Sequence, residues 1–542
     1  MSNCACESKR TQGVQRQEIK MTTMKELLEA NPQYREKLYI RGFILTDKEA
    51  ETDVYPFYGK WNSFDFADRS LLVHPLQRAY VCGTENVTVA LVGHAYDPFT
   101  MQSDENEIIA ELAGMVADNE VDFFERLNEL TGNFAIMWFD GKLHIVGDAS
   151  GMMTVFYAEQ DGRAYVSSHT MLLGEMLGCK KSEYAKRLIG YRFFSLLGNS
   201  MPGDITQFSE VKRLVPNHVC TFSDGAFENR RFYWPSVQAD MEYEDILRNA
   251  ADILNRSMKL IPEKWEKPAI SLTGGCDSKT TLACANGVYD RYAYYSYTSS
   301  ESEQVDANAA HEICGALGLE HKIYEIPETL GEEDNFEVVA KILRWNCGDI
   351  RNSNRNDVRK RIVLNKIDDF DVEVKSWASE IGRAYYSKRF NGRTKFPEKP
   401  NGRACTTLYK FFLHDRKLVA DTDKVFEEYL KAFYEPAEEN PLEWQEQFFW
   451  EFRVPSWNGL VITGEHVYSS DITIPYNNRK LLSLLLSVPT EARIKDTLYA
   501  DIRKYMNPKI DETGIAVTNL KHTDKRAKLE DVYWVLHSKF PL

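Results

Sequence analysis

Residues 267–286 read Lys-Pro-Ala-Ile-Ser-Leu-Thr-Gly-Gly-Cys-Asp-Ser-Lys-Thr-Thr-Leu-Ala-Cys-Ala-Asn, and this stretch decides the fold around it. The short apolar run at 269–272 predicts a buried strand, and the residues from Asp277 onward favour a helix. The two glycines between them predict a tight turn, because glycine adopts backbone conformations that a Cβ forbids. A strand, a glycine-rich turn and a helix in this order predict an anion site, since backbone N–H groups converge at the helix N-terminus.

The order of residues in this turn indicates which anion it binds. The common nucleotide loop, Gly-x-x-x-x-Gly-Lys-Ser/Thr, is absent. The acidic Asp277 lies in a site built for anions, which is consistent with a Mg²⁺ ion bound to a polyphosphate. The order Thr273-Gly274-Gly275-x-Asp277-Ser278 resembles the pyrophosphate loop of the ATP pyrophosphatases, which split ATP between its α and β phosphates and adenylate a substrate oxygen. The alternative interpretation is an ordinary glycine turn.

Composition limits the class of protein. The 542 residues predict roughly two to four domains, and 43% apolar residues are typical of a globular protein. A net charge of −15 argues against a nucleic-acid partner, and no apolar run is long enough for a membrane span. The ten cysteines are scattered and the N-terminus is polar, so we expect free thiols in a cytoplasmic protein without a signal peptide.

Patterning along the chain predicts a tail and two domains. Residues 1–22 are polar and aperiodic, and we expect a flexible tail. Residues 23–236 predict a strand-rich layered domain, with Asp-Gly pairs marking hairpins. Residues 240–542 alternate helices and strands around the loop and then become mainly helical, which predicts an α/β doubly wound parallel sheet with a helical C-terminal part.

The C-terminal region resembles the synthetase domain of the asparagine synthetase superfamily. The residues that carry the resemblance are the loop at 273–278, the helix at 303–318, and the segments 378–385, 474–481 and 498–503. The resemblance implies the fold of an adenine nucleotide α-hydrolase-like domain, with ATP and Mg²⁺ as cofactors. It also implies that Ser271 and the loop residues Thr273, Gly274, Gly275, Asp277 and Ser278 bind the nucleotide.

The N-terminal region resembles the class II glutamine amidotransferase domain that precedes the synthetase domain in those enzymes. The segments 132–136, 148–151, 155–157, 166–169 and 214–218 carry this resemblance. It implies an αββα layered fold of the N-terminal-nucleophile type.

Departures from the family pattern predict that the glutaminase is inactive. A working glutaminase begins with a catalytic cysteine directly before its first strand, but here that strand, at 40–45, lies some forty residues into the chain and no cysteine lies immediately ahead of it. Ser2 is a conceivable nucleophile, but it begins a polar tail. The segment around Gly93, which usually holds glutamine, reads Val-Gly-His-Ala-Tyr at 92–96. The chain is similar in this respect to the β-lactam synthetases and lasso-peptide cyclases, whose amine comes from the substrate.

The synthetase region departs from the pattern at two places. Of the family's second acidic cluster only Glu380 remains, while Ser376 and Ser379 replace two acids. The resemblance implies that Asp277 and Glu380 hold Mg²⁺ and that Arg503 neutralises developing charge. The family's lysine at the leaving group is here Tyr499. Lys495, one helical turn earlier on the same predicted face, is a candidate replacement, as are Lys504, Lys521 and Lys525.

These observations predict an ATP-dependent, AMP-forming amide ligase that joins a carboxylate to an amine without hydrolysing glutamine. Two alternatives stay open: a catalytically silent homologue that binds a nucleotide or a partner protein, and asparagine synthesis from free ammonia. The expected substrates are a small-molecule or peptide carboxylate and an amine. A partner protein or a homodimer is also compatible with the sequence.

Overall fold

The computed structural model describes residues 23–46, 52–84, 86–195, 198–351, 354–390, 392, 394–410, 412, 415–514 and 524–540. The predicted tail at 1–22 lies outside these residues, together with Ser2 and Lys521. None of the described helices has the length and apolar character that crossing a membrane requires.

Two antiparallel sheets form the N-terminal part of the molecule. The strands are β1 Phe43–Thr46, β2 Asn62–Phe66, β3 Arg69–Val73, β4 Ala79–Gly83, β5 Thr88–Tyr96, β6 Thr131–Phe139, β7 Leu143–Gly147, β8 Phe156–Gln160, β9 Arg163–Ser167, β10 Val211–Arg213, β11 His218–Ser223 and β12 Ala226–Arg231. One sheet has the strand order β10-β8-β9-β1-β3-β2, and the other has the order β12-β11-β7-β6-β5-β4.

Helices cover the outer faces of both sheets. They are α1 Met24–Ala30, α2 Glu105–Asp118, α3 Glu120–Glu129, α4 Thr170–Met176 and α5 Glu183–Ile189. Side chains of β1 alternate between two cores: Phe43 packs between the sheets and Ile44 packs under α1 and α4. On the other sheet, Leu91 packs against α2 and α3, whereas Ala90 faces the first sheet. The result is a four-layer α/β sandwich.

A parallel sheet forms the second part. Its strands are β13 Pro268–Ser271, β14 Ala293–Thr298, β15 His321–Glu325, β16 Val372–Val374 and β17 Asp471–Thr473, in the order β15-β14-β13-β16-β17. Helix α6 Tyr243–Lys264 precedes the first strand, and the helices between the strands are α7 Cys276–Cys284, α8 Glu301–Ala316, α9 Phe336–Asn346 and α10 Arg355–Leu364. Ile270 of β13 faces one core and Ala269 the other, so both faces of the sheet are covered.

The C-terminal third is mainly helical, as predicted. Its helices are α11 Tyr385–Arg389, α12 Gly402–Tyr409, α13 Arg416–Phe433, α14 Trp444–Phe448, α15 Leu460–Gly464, α16 Arg479–Ser487, α17 Thr490–Ile494, α18 Thr497–Met506, α19 Lys509–Glu512 and α20 Asp524–Lys539. Shorter 3-10 segments span Pro32–Lys37, Tyr289–Arg291, Glu332–Asp334, Ser379–Arg383 and His466–Tyr468, and π-helical turns span Phe449–Arg453 and Pro455–Gly459.

The mixed α/β class is confirmed, and the structure differs from the sequence prediction in local detail. The first helix ends at Ala30, because the Asn31-Pro32 pair breaks it and a 3-10 segment follows. The hairpin of β2 and β3 was not predicted, since its turn contains Ala67 at a φ of +53° and no glycine or asparagine.

A buried ion pair joins the sandwich to the helical region. Arg231 at the end of β12 donates hydrogen bonds to both carboxylate oxygens of Glu451, at 2.6 and 2.9 Å. Asn217 also donates to Glu451, at 3.0 Å. The side chains of the pair are only 1% and 4% exposed. Because such a charge is costly without its partner, this contact fixes how the two regions pack.

We expect Glu451→Ala to lower the free energy of unfolding by about 3–5 kcal/mol, because it leaves the Arg231 guanidinium buried without a counter-charge. The measurement is denaturant-induced unfolding followed by circular dichroism. Glu120→Ala is the matched control, since Glu120 pairs with the neighbouring Arg230 at the surface, where an ion pair contributes about 0–1 kcal/mol. Equal effects of the two substitutions would contradict the structural role given to Glu451.

Candidate functional site

The glycine-rich loop lies where the strand order of the parallel sheet reverses. From β13 the chain proceeds to β14 and β15 on one side, and later to β16 and β17 on the other. Connections that leave in opposite directions open a crevice beyond the carboxyl ends of the strands, and this is where ligands bind in open α/β sheets. The loop follows β13 directly, so it lines this crevice.

Side-chain hydroxyls close the loop onto the start of α7. The Ser278 hydroxyl accepts a hydrogen bond from the Thr273 N–H at 3.2 Å and donates one to the Thr273 carbonyl at 2.9 Å. The Gly275 N–H donates to the Thr273 hydroxyl at 3.1 Å. Burial raises the pKa of Asp306 on α8, and a hydrogen bond from the Gly274 N–H opposes this rise. Ser271 points elsewhere, toward the buried Glu373 carboxylate.

Asp277, the second residue of α7, is held by the 3-10 turn that follows β16. The Ser379 hydroxyl donates to one carboxylate oxygen of Asp277 at 2.8 Å, and Arg383 forms an ion pair with the other. Arg383 also donates from Nε and Nη2 to the two carboxylate oxygens of Asp496, at 2.8 and 2.9 Å. Lys388 of α11 forms a second ion pair with Asp496. Two carboxylates and two cations thus meet beside the loop.

A second arginine lies at the first turn of α7. Arg503 of α18 donates to the Thr280 hydroxyl at 3.1 Å and lies 3.3 Å from the Cys276 sulfur. Its Nε donates to Asp511 at 2.8 Å, and Lys279 approaches the same carboxylate at 3.5 Å. Positive charge therefore flanks the N-terminus of α7, which itself favours anions.

Glu380 is the second carboxylate of the predicted metal site. Burial raises the pKa of Glu380, and the charge of Asp277 raises it further, while Arg383 and Arg453 oppose the rise. No cluster of three or more acidic, histidine or cysteine ligands occurs within the described ranges. The residues nevertheless fit Mg²⁺, because a divalent cation would relieve the repulsion between the two carboxylates and usually takes its other ligands from phosphates and water.

Tyr499 and Lys495 do not form the predicted helical pair. The Tyr499 hydroxyl donates to the Ser379 carbonyl at 2.6 Å, and burial raises the pKa of this phenol well above its usual value. Tyr499 is therefore a neutral donor that fixes the turn carrying Glu380 and Arg383. Lys495 is exposed and follows the end of α17, and Asp496, at a φ of +57°, separates it from α18. The break between these helices removes the shared face.

Sequence reasoning missed two parts of this site. Arg383 is not among the predicted site residues, whereas the structure pairs it with Asp277 and Asp496. Sequence reasoning did not single out Asp496 or Lys388. The signal that could have found Arg383 is its position one turn after Glu380 in the segment that follows β16.

The segment around Gly93 lies against the parallel sheet. The His94 ring packs edge-on against Trp265, with 4.7 Å between ring centroids, and its Nε2 lies 3.1 Å from the Thr473 hydroxyl. The cavity here has a volume of only about 30 Å³ and is lined in part by Arg41 and Met152. One water molecule needs about 10–15 Å³ of such volume, so the cavity has room for about two waters and is too small for a glutamine side chain.

A much larger cleft opens at the helical end of the molecule. Its volume is about 1180 Å³, and its lining includes Ser387 and Ile494. Ser387 directly precedes Lys388, and Ile494 lies two residues before Asp496, so this cleft adjoins the elements that hold Arg383. Apolar and charged side chains both line it, among them Phe396, Trp444 and Lys431.

No protein-family model matches this sequence, and no curated protein sequence matches it significantly. Solved structures with partial similarity include a glutamine phosphoribosylpyrophosphate amidotransferase from B. subtilis complexed with ADP and GMP (11% identity, 67% of this chain and 74% of that one, TM-score 0.21). Another is a glutamine-dependent NAD⁺ synthetase from Acinetobacter baumannii complexed with adenosine diphosphate (15% identity, 42% and 49%, TM-score 0.19). A third is an allosteric regulatory enzyme of purine biosynthesis (10% identity, 68% and 74%, TM-score 0.24). Similarity at this level carries no argument about fold or function.

We expect Tyr499→Phe to lower the free energy of unfolding by about 1–3 kcal/mol, because the buried Ser379 carbonyl loses its donor. Tyr505→Phe on the same helix is the control, since Tyr505 is 52% exposed. Denaturant unfolding of both variants measures the difference. An unchanged stability of Tyr499→Phe would show that the phenol does not support the 379–383 turn.

Proposed function

We propose that this protein is an ATP-dependent, AMP-forming ligase that adenylates a carboxylate and couples it to an amine, without using glutamine. The observation that carries the proposal is the placement of Asp277 at the start of α7, in the crevice where the strand order reverses, with Arg383 and Arg503 beside it. Both parts of this arrangement suit a polyphosphate. N–H donors and cations bind its oxygens, and carboxylates bind the metal ion that accompanies it.

The proposed reaction begins at the α-phosphorus of ATP. A substrate carboxylate oxygen forms a bond to this phosphorus, the bond to the bridging oxygen of the β-phosphate breaks, and pyrophosphate leaves with the electron pair. The amides around Gly274 and Gly275 bind the leaving group, and Arg503 stabilises its charge. Mg²⁺, held by Asp277 and Glu380, would neutralise the phosphates. The amine then attacks the acyl carbon, giving an amide, AMP and a proton.

Two features of the sandwich support a substrate amine rather than ammonia from glutamine. The sequence has no cysteine directly ahead of β1, and the cavity beside His94 and Met152 has only about 30 Å³. The side chains that fill this region bind other parts of the chain, as His94 does with Thr473. The sandwich is therefore proposed to be a scaffold.

The cleft beside α11 and α17 supports a substrate larger than a free amino acid. Its volume of about 1180 Å³ exceeds what a single amino acid fills, and its mixed lining suits a peptide or a comparable small molecule. The amine and the carboxylate are then supplied by one bulky substrate or by two.

The test is ATP–pyrophosphate exchange with Mg²⁺ across a panel of amino acids, other carboxylic acids and small peptides. We expect exchange with one class of acid, and transfer of one ¹⁸O atom from the labelled carboxylate to AMP. Asp277→Asn should lower the exchange rate at least about 100-fold, because the carboxylate that would bind the metal is lost.

Asp290→Asn is the matched control, since Asp290 is exposed in the 3-10 segment after α7, and we expect it to exchange at the normal rate. Exchange that persists in Asp277→Asn would contradict the assigned site. Absence of both exchange and ATP binding would favour the alternative of a catalytically silent homologue.

We also expect no glutamate to be released from glutamine, either alone or during ATP turnover, because no cysteine directly precedes β1 and the cavity beside His94 is small. The measurement uses ¹⁵N-amide glutamine: released glutamate is quantified by amino-acid analysis, and the amide product is examined for the label. Ser2→Ala should leave the result unchanged. Label from glutamine in the amide product would overturn the scaffold role of the sandwich.

A further inference from the structure

A cation near the leaving group is missing from the position that the resemblance implies. Residue 499 is a tyrosine, and its phenol is committed to the Ser379 carbonyl at 2.6 Å. Lys495 is exposed beyond the end of α17. Neither side chain brings positive charge to the loop, although a departing pyrophosphate carries several negative charges that need stabilisation.

Arg383 lies where that charge is needed. It forms an ion pair with Asp277 in the first turn of α7, while Arg503 contacts Cys276 and Thr280 in the same turn. Burial raises the pKa of the Cys276 thiol, and both arginines lower it, so both guanidinium groups act on the same helix end. The N-terminus of α7 is thus flanked by two guanidinium groups.

The contacts of Arg383 divide into an anchor and an exchangeable contact. Nε and Nη2 donate to the two oxygens of Asp496, a two-point arrangement that fixes the plane of the guanidinium. Nη1 alone reaches Asp277. Lys388 pairs with the same Asp496, and the Tyr499 ring lies 5.9 Å from the guanidinium carbon. Nη1 can therefore change partner while the rest of the group stays in place.

We infer that Arg383 is the catalytic cation that replaces the missing lysine, and that Nη1 exchanges Asp277 for a phosphate oxygen when ATP binds. This inference rests on the proposed adenylation. Arg383 donates hydrogen bonds and transfers no proton, so the atoms and charges of the proposed reaction stay as described above. The exchange also releases the Asp277 carboxylate for Mg²⁺ beside Glu380. Asp496 acts as a positioning residue.

The arrangement explains why the pair is only partly buried. The side chains of Arg383 and Asp277 are 17% and 24% exposed, so the pair is open to an incoming anion. A fully enclosed pair would be expensive to separate, because each charge would be left in the interior without a partner. Here Asp496 and Lys388 remain beside the arginine, and Asp277, once released by Nη1, would be free to hold a metal ion together with Glu380.

The experiment is isothermal titration calorimetry of the full chain with three ligands: MgATP, Mg-pyrophosphate and AMP. We expect Arg383→Gln to weaken pyrophosphate and ATP binding by about 10- to 100-fold, the usual effect of losing a hydrogen bond to a charged group, while AMP affinity stays within about 2-fold. The pyrophosphate and ATP affinities of Arg383→Lys should lie between those of the wild type and Arg383→Gln. Lysine keeps the positive charge, but its single ammonium group cannot bind Asp496 at two points and a phosphate oxygen at the same time. Arg248→Gln, an exposed arginine on α6, is the control with unchanged binding.

Asp496→Asn provides a second route if Arg383→Gln does not fold. It keeps the guanidinium but removes the charge of its anchor, and we expect pyrophosphate affinity to fall several-fold while AMP affinity is retained. Wild-type pyrophosphate affinity in folded Arg383→Gln or Arg383→Lys would overturn the inference and leave the proposed ligase intact. A wild-type protein that binds neither ATP nor pyrophosphate would overturn both.

Discussion

The reversal of strand order between β13 and β16 is the constraint on which the site depends. It brings the loop after β13 and the turn after β16 to the same edge of the parallel sheet, although Asp277 and Arg383 are 106 residues apart in sequence. The backbone N–H groups at the first turn of α7 favour the carboxylate of Asp277 there. A neighbouring cation balances its charge further. In the structure Arg383 provides that balance.

Local sequence signals were sufficient to predict the elements that carry the loop. The hairpin at Asp161-Gly162 has both residues at positive φ, as an Asp-Gly turn requires. Helix α8 begins after Ser300, whose hydroxyl accepts the Glu303 N–H at 3.3 Å, and Gly318 follows its end at a φ of +71°. Such signals act within a few residues, and the sequence shows them directly.

The pairing of charges could not be predicted in the same way. Asp496 and Arg383 are 113 residues apart, and nothing in the sequence near either residue indicates the other. The helical face expected to join Lys495 to residue 499 is absent for a related reason: the prediction extended one helix through Asp496, where the backbone turns. Predicted periodicity gives the face of a continuous helix, but it does not reveal where a helix stops without glycine or proline. The roles expected for Glu380 and Arg503 stay predictions, and the structure gives their surroundings.

The sandwich contributes to this site through the far end of the parallel sheet. Asn133 donates to the Ile472 carbonyl at 2.9 Å, and Asn477 donates to the Gly132 carbonyl at 2.6 Å. These buried contacts hold β17 and the chain beyond it against β6. Since β17 pairs with β16, they also fix the edge from which the 379–383 turn begins.

The substitutions at 376, 379 and 499 are consistent with one another in terms of charge. Ser379 donates to Asp277, and Ser376 pairs with the Thr281 hydroxyl at 2.7 Å, so neutral donors stand where the resemblance implies acids. An acid at 379 would add a third carboxylate next to Asp277 and Glu380. The pKa of Glu380 is already raised by its burial and by the charge of Asp277. With those acids absent, fewer cations are needed to keep the crevice near neutrality, and residue 499 can be an uncharged tyrosine. In the structure one guanidinium, anchored on Asp496, then provides the positive charge that pairs with Asp277.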